Sequence, residues 1–196
     1  MPAKPTPLHV MIDFETLATT PDAVAVSLGA VIFSPSFKGD GIITTLNYDD
    51  HPLPFSVEFH LEEQLRRGRR VSGDTLRWWM QQPPEARKVF ASDQQLFLQP
   101  ALGLFNRWLP ETSQGFDLWA NGADFDIPIL LSLYEIAGVV PVHKFYQHRC
   151  FRTLKELHPK LYEAAKKKHQ NPVKHDALQD ALWQARVAVD ILRKVA

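Results

Sequence analysis

This sequence is short of several things, and each shortage removes a class of protein. It has one cysteine, Cys150, in 196 residues. No internal disulfide can form, which fits a reducing, cytoplasmic setting in a bacterium or a phage-infected host. No apolar run is long enough to span a bilayer, so no membrane partner is expected. Residues 1–8 lack the apolar core of a signal peptide and read as a flexible arm ahead of a single domain over 9–196. The formal net charge is zero, so bulk electrostatics name no partner. There is no glycine-rich phosphate loop, which argues against an ATP-driven enzyme. There is also no internal repeat and no low-complexity linker.

What remains is ordinary for one globular domain: 45% hydrophobic and 22% charged residues, at a length that supports a full core. Local charge is uneven. Arg66, Arg67, Arg69 and Arg70 form one basic cluster, and Lys166, Lys167, Lys168 and Lys174 another. By itself each reads as a solvated face.

Element types follow from periodicity. An apolar strand starts at His9. A turn at Ala18–Asp22 leads to a β-branched strand over Ala23–Phe33, and further strands are expected at Ile42–Leu46 and Phe55–His60. From Asp74, a candidate cap, the pattern turns helical. Helices are expected at Thr75–Gln82, at Glu85–Ala91, at Asp93–Leu109 with a kink at Pro100, and at Ile127–Ala137 closed by Gly138. Three more are expected at Thr153–His158, at Leu161–Lys168 and from Ala177 to the C-terminus. Short strands at Asp117–Asn121 and Tyr146–Phe151 interrupt them. Strands first, then helices alternating with strands, predicts an α/β domain with a mixed central β-sheet flanked by α-helices.

Three acidic stations stand out. In Ile12-Asp13-Phe14-Glu15-Thr16 the two carboxylates are two residues apart on a strand and so share a face, with Phe14 turned away. Two such charges repel unless one is protonated or a cation lies between them. In Asn121-Gly122-Ala123-Asp124-Phe125-Asp126-Ile127-Pro128 a strand ends and a helix begins. Asp126 is placed to cap that helix, and Asp124 competes for any functional role. In His175-Asp176-Ala177-Leu178-Gln179-Asp180 a capping box of Asp176 and Gln179 starts a helix at Ala177. His175 in the loop and Asp180 in the first turn can then converge.

Taken together, D-x-E, then Asn-x-x-x-Phe-Asp, then His-x-x-x-x-Asp resembles the DEDDh exonucleases of the DnaQ-like, ribonuclease H-like superfamily. Within it the likeness runs to phage exonuclease A (DexA-type), through Thr75–Lys88 and Phe125–Leu130. The resemblance implies 3′–5′ hydrolysis of phosphodiester bonds at the 3′ end of single-stranded or frayed DNA, or of RNA, releasing nucleoside 5′-monophosphates. It implies two divalent cations, Mg²⁺ or Mn²⁺, held by Asp13, Glu15, Asp126 and Asp180, with His175 as general base. Thr16 and Leu17, next to the first pair, are then expected to meet the terminal nucleotide. Asn121 is expected to hold the loop or the sugar. Of Trp78 and Trp79 at most one can reach a base, since neighbours on a helix diverge by about 100°, and Trp78 is the candidate. Cys150 stands where the relatives are expected to carry an aspartate. Oligomeric state is not legible. A non-catalytic binding module on the same fold would be expected to have lost one of the five residues.

Overall fold

The computed structural model describes residues 8–44, 54–110, 115–171 and 174–195. The chain begins with β1 (Leu8–Thr16), β2 (Ala25–Phe33) and β3 (Phe55–Glu58). Then come α1 (Leu61–Arg66), α2 (Gly73–Met80), α3 (Pro84–Arg87), a 3₁₀ turn at Lys88–Ala91, and α4 (Leu98–Trp108). The second half carries β4 (Phe116–Ala120), α5 (Asp126–Ala137), a 3₁₀ turn at Phe145–Gln147, and β5 (His148–Cys150). It ends with α6 (Phe151–Leu157), α7 (Pro159–Lys168) and α8 (Ala177–Val195).

The five strands form one mixed sheet in the order β3-β2-β1-β4-β5. β1 is antiparallel to β2, which is antiparallel to β3. β4 joins parallel to β1, and β5 parallel to β4. The meander and the helix-connected parallel strands are those expected from the sequence.

The central strand explains the layers. Val10, Ile12 and Phe14 of β1 point into a core shared with α4 and α5. Met11 points the other way, into a core with Phe33, Trp119, Phe151 and the apolar side of α8. Strand periodicity puts Asp13 and Glu15 on the Met11 face. The acidic pair therefore begins where the apolar floor beneath α8 ends.

Gly29 lets α8 close over that floor. It lies opposite Asp13 in the β1–β2 register. A Cβ added there would sit 2.3 Å from the carbonyl carbon of Ala177 and the amide nitrogen of Leu178. Backbone on both sides cannot yield cheaply. Gly29→Ala is expected to push the start of α8 off the sheet, costing about 1–3 kcal/mol and displacing Asp180. Thermal unfolding with and without Mg²⁺ checks this, and an unchanged melting temperature would refute it.

Several local expectations are corrected. The strand at Ile42–Leu46 is reduced to a single bridge between Ile42 and Phe33, and residues 45 and 46 lie outside the described residues. α1 was not foreseen; it is six residues long and capped by His60, whose Nδ1 accepts from the Glu63 N–H. α2 starts at Gly73 with Ser72 as its cap, not Asp74, which instead pairs with Arg77 at 2.7 Å. The helix expected over Asp93–Leu109 begins only at Leu98, because Leu96 bonds in extended form to Glu58 and His60. Pro100 thus falls in a first turn, where it needs no kink. The last expected strand shrinks to His148–Cys150. β1 includes Leu8, and the rest of the expected arm, residues 1–7, lies outside the described residues. No helix among the described residues is long and apolar enough to cross a membrane.

Candidate active site

The three acidic stations meet at the end of β1 that leads into Leu17. Asp126 does not cap α5. It is the first helical residue, and Phe125 occupies the cap position. Its carboxylate is turned across the sheet to accept the backbone N–H of Phe14 at 3.1 Å, and only 2% of the residue is exposed. It therefore lies beside the Asp13–Glu15 pair. Asp124, the competitor, points outward and lies 3.9 Å from Arg152.

At the third station Asp176 caps α8, its Oδ1 accepting from the Gln179 N–H at 3.0 Å. Asp180 sits one turn on. Its Oδ2 accepts the His175 N–H at 3.0 Å, and its Oδ1 accepts from the Asn171 amide. His175 takes a left-handed backbone, φ 62°, alone among the described non-glycine residues. That conformation costs energy for a residue with a Cβ and tends to be kept at functional sites. It folds the loop back so that the imidazole reaches the acidic cluster. One ligand atom each of Glu15, His175 and Asp180 lies within 4.8 Å of the others. Asp13 and Asp126 adjoin this group without belonging to it.

The electrostatics are those of crowded carboxylates short of positive charge. Burial first, and then the charges of Asp180, Asp176 and Asp126, push Glu15 up to about 8. Burial followed by the charges of Asp126, Glu15 and Asp180 drives Asp13 well above the usual carboxylate range, against the pull of a hydrogen bond from Gln184. Asp126 is pushed up to about 7 by burial, although the Phe14 N–H favours its charged form. Asp180 is raised by burial against the His175 N–H and the Asn171 amide. A divalent cation would remove this repulsion, and the oxygen-rich donor set suits a hard ion such as Mg²⁺ or Mn²⁺. Glu15 and Asp180 are close enough to share one ion, with the His175 nitrogen beside it.

The expected substrate contacts fare unevenly. Thr16 and Leu17 are buried, and their polar groups are engaged inside the fold. The Thr16 hydroxyl bonds the Ala18 carbonyl, the Thr16 carbonyl accepts from the Trp79 indole, and Leu17 bonds Val24 and Ser72. Both directly follow the Asp13–Glu15 pair, where they were expected, with these polar groups engaged inside the fold. Trp79 is likewise core. Trp78 remains exposed and meets the His175 ring edge-on at 4.7 Å. Asn121 serves the loop: its side-chain oxygen accepts from Lys155 at 3.1 Å, and its carbonyl accepts from Arg152 at 3.2 Å.

Arg152 and Lys155, both on α6, are the cations beside the second station, and the sequence did not single them out. Their i, i+3 spacing was a usable signal. The Arg66–Arg70 cluster is largely spent on structure. Arg66 pairs with Glu62, Arg67 with Glu63 and Arg70 with Asp22, while buried Arg69 donates to Ala23, Ser132 and Pro21. In the other cluster Lys168 pairs with Asp190, and Lys174 stays exposed beside His175. Cys150 ends β5 at the cap of α6.

A family model described as "3′-5′ exoribonuclease Rv2179c-like domain" matches residues 8–192. An exodeoxyribonuclease of Enterobacteria phage T4 is 30% identical over 131 residues, covering 63% of this chain and 54% of that protein. The chain thus spans about half the length of that curated relative. The fold is similar to the nuclease domain of 3′hExo, a DEDDh family member solved with rAMP, at a TM-score of 0.63 and 15% identity, covering 97% of this chain and 94% of the other. Cell-death related nuclease 4 (CRN-4) follows at a TM-score of 0.61 and 14% identity, with 97% and 65% covered. E. coli Exonuclease I bound to an oligonucleotide gives 0.58 at 14% identity, with 97% and 41% covered. The mixed sheet is therefore the ribonuclease H-like fold of DEDDh nucleases, in agreement with the resemblance carried by the three stations.

Proposed function

This chain belongs to the 3′-5′ exoribonuclease Rv2179c-like family, and we propose that it is a metal-dependent 3′–5′ exonuclease that removes nucleoside 5′-monophosphates from the 3′ end of single-stranded or frayed DNA. The observation that carries this reading is the convergence of Asp13, Glu15, Asp126, Asp180 and His175 at one end of β1. Two Mg²⁺ or Mn²⁺ ions would supply charge neutralisation at the attacking and leaving oxygens of the phosphodiester. Asp13, Glu15, Asp126 and Asp180 would hold the ions, Glu15 and Asp180 serving one ion, Asp126 the other and Asp13 both.

His175 takes the proton of the attacking water as general base. Its ring is steadied edge-on by Trp78, and its backbone is tied to Asp180. A cavity of about 210 Å³, lined in part by Ser27, Glu58, Lys88 and Asp176, adjoins His175. Exposed Trp78 offers a ring for the terminal base. Lys155 and Arg152 flank the Asp126 side of the cluster with positive charge for the phosphate backbone. The lone cysteine suits action in a bacterial or phage-infected cytoplasm.

RNA is the second reading, because the family description names exoribonuclease whereas the phage relative is named an exodeoxyribonuclease. One assay tests both: 5′-labelled single-stranded DNA, duplex DNA and RNA, each with Mg²⁺ or Mn²⁺, resolved by product length. The expected result is a ladder of 3′-shortened products, strictly dependent on metal and fastest on single-stranded DNA. A faster ladder on RNA selects the second reading. Internal fragments, or no hydrolysis with either metal, would overturn both.

A further inference from the structure

Gln184 lies one turn beyond Asp180 on α8 and is 3% exposed. A buried primary amide on an otherwise apolar helix face, next to Ala181, Ala185 and Ala188, needs partners for both its ends. Only one end has one. The Nε2 group donates to Asp13 Oδ1 at 2.7 Å, while Oε1 is fully enclosed and accepts nothing from the described residues. With Asp13 ionised, as a bound cation would hold it, the carboxylate accepts only, so the amide turns its NH₂ to Asp13. Were Gln184 merely filling space, an apolar residue would fill it without leaving a buried carbonyl unsatisfied.

We propose that Gln184 is a positioning residue for the metal site: by holding Asp13 Oδ1, it fixes the carboxylate plane so that Oδ2 faces the cluster formed with Glu15 and Asp180. The proposal rests on the reading of Asp13 as a metal ligand. Asp13 is the carboxylate with most to gain from such a clamp. It lies among Glu15, Asp126 and Asp180, whose charges would otherwise turn it away. It is also flanked by Gly29, which offers no side chain to confine it. Groups that hydrogen-bond a ligating carboxylate typically govern metal affinity by roughly 10–100-fold.

Two variants test this. Gln184→Met keeps the length and removes the amide, and Gln184→Asn keeps the amide but draws it back by one methylene. The first readout needs no turnover: Mn²⁺ binding followed by electron paramagnetic resonance, with the melting temperature of the metal-free protein measured alongside. Both variants are expected to raise the half-saturating Mn²⁺ concentration about 10-fold or more. The metal-free melting temperature of Gln184→Met should stay level or rise, because an unsatisfied buried carbonyl has gone. In the nuclease assay the half-saturating metal concentration should move by the same factor, with turnover at saturating metal within a few-fold of wild type. An unchanged Mn²⁺ midpoint in a folded variant, or loss of folding in both, would overturn the proposal and leave Gln184 a packing residue. If the wild-type chain binds Mn²⁺ but cleaves no nucleic acid, the functional reading fails while the binding comparison still decides the role of Gln184.

Discussion

Replacing Asp13 by Asn is expected to abolish turnover, by about 10³-fold or more, and to erase the stabilisation that Mg²⁺ or Mn²⁺ gives the wild-type chain. Asp13 stands among three other carboxylates on the face of β1 that α8 covers. Asparagine keeps the shape and one acceptor oxygen but loses the charge that draws cations in. Raised carboxyl groups bind protons more tightly in the fold than in the unfolded chain. Their contribution to the stability of the metal-free protein is therefore complete at low pH and is lost as pH rises. For Glu15 the loss runs from its ordinary 4.5 to about 8, and Asp126 adds to it up to about 7.

A cation reverses that loss, so the metal-induced gain in melting temperature should be small near pH 5 and largest near pH 8. A ligand at a hundred times its Kd adds about 2.7 kcal/mol. For a domain of this size that is roughly 5–10 °C. Asp13→Asn removes one of the mutually repelling charges. Its metal-free melting temperature should accordingly fall less between pH 5 and pH 8 than that of the wild type, and added metal should no longer raise it. Melting curves at the two pH values, with and without Mn²⁺, read all of this. A wild-type metal gain retained in the variant would remove Asp13 from the site.

The parts of this site legible in the sequence were those that obey short-range rules. The same-face placement of Asp13 and Glu15 follows from the two-residue period of a strand, and Met11 and Phe14 show that period directly in the two cores. The Asp176 cap, with Gln179 three residues later, set the start of α8 and hence brought Asp180 under His175. What could not be read was any partner chosen by tertiary approach. Asp126 has the sequence signature of a helix cap, yet the N–H it accepts belongs to Phe14, 112 residues earlier. Gln184 is one polar residue in an alanine-rich helix until Gly29 lets that helix come close. Thr16 and Leu17 were assigned to substrate by their place beside the acidic pair. The packing of α2, which puts the Trp79 indole on the Thr16 carbonyl, was equally out of reach of the sequence. The basic run Arg66–Arg70 is conspicuous in one dimension, and its charge is answered by Glu62, Glu63 and Asp22 in three.

Replacing His175 by Ala should lower turnover by about 10²–10⁴-fold, the usual contribution of a positioned general base, while metal and nucleic acid still bind. The difficulty is that His175 does two things at once. Its imidazole faces Glu15 and Asp180, and its left-handed backbone shapes the loop that delivers the N–H to Asp180. Alanine removes the base but also bears the strain of φ 62° less readily, so a loss of activity alone would not separate the two. Asparagine does: its short polar side chain tolerates the left-handed conformation and cannot act as a base. If proton transfer is the role, His175→Asn should be as inactive as His175→Ala. Both should keep the wild-type Mn²⁺ midpoint, and added imidazole should restore part of the turnover in the alanine variant, where the space vacated beside Trp78 can admit it. If the loop conformation were what mattered, asparagine would recover activity and alanine would shift the Mn²⁺ midpoint through the displaced Asp180. Wild-type turnover in either variant would leave the base to be sought elsewhere, and Glu58 would be the place to look, since it shares a cavity lining with His175 and ends on a buried oxygen with no partner among the described residues.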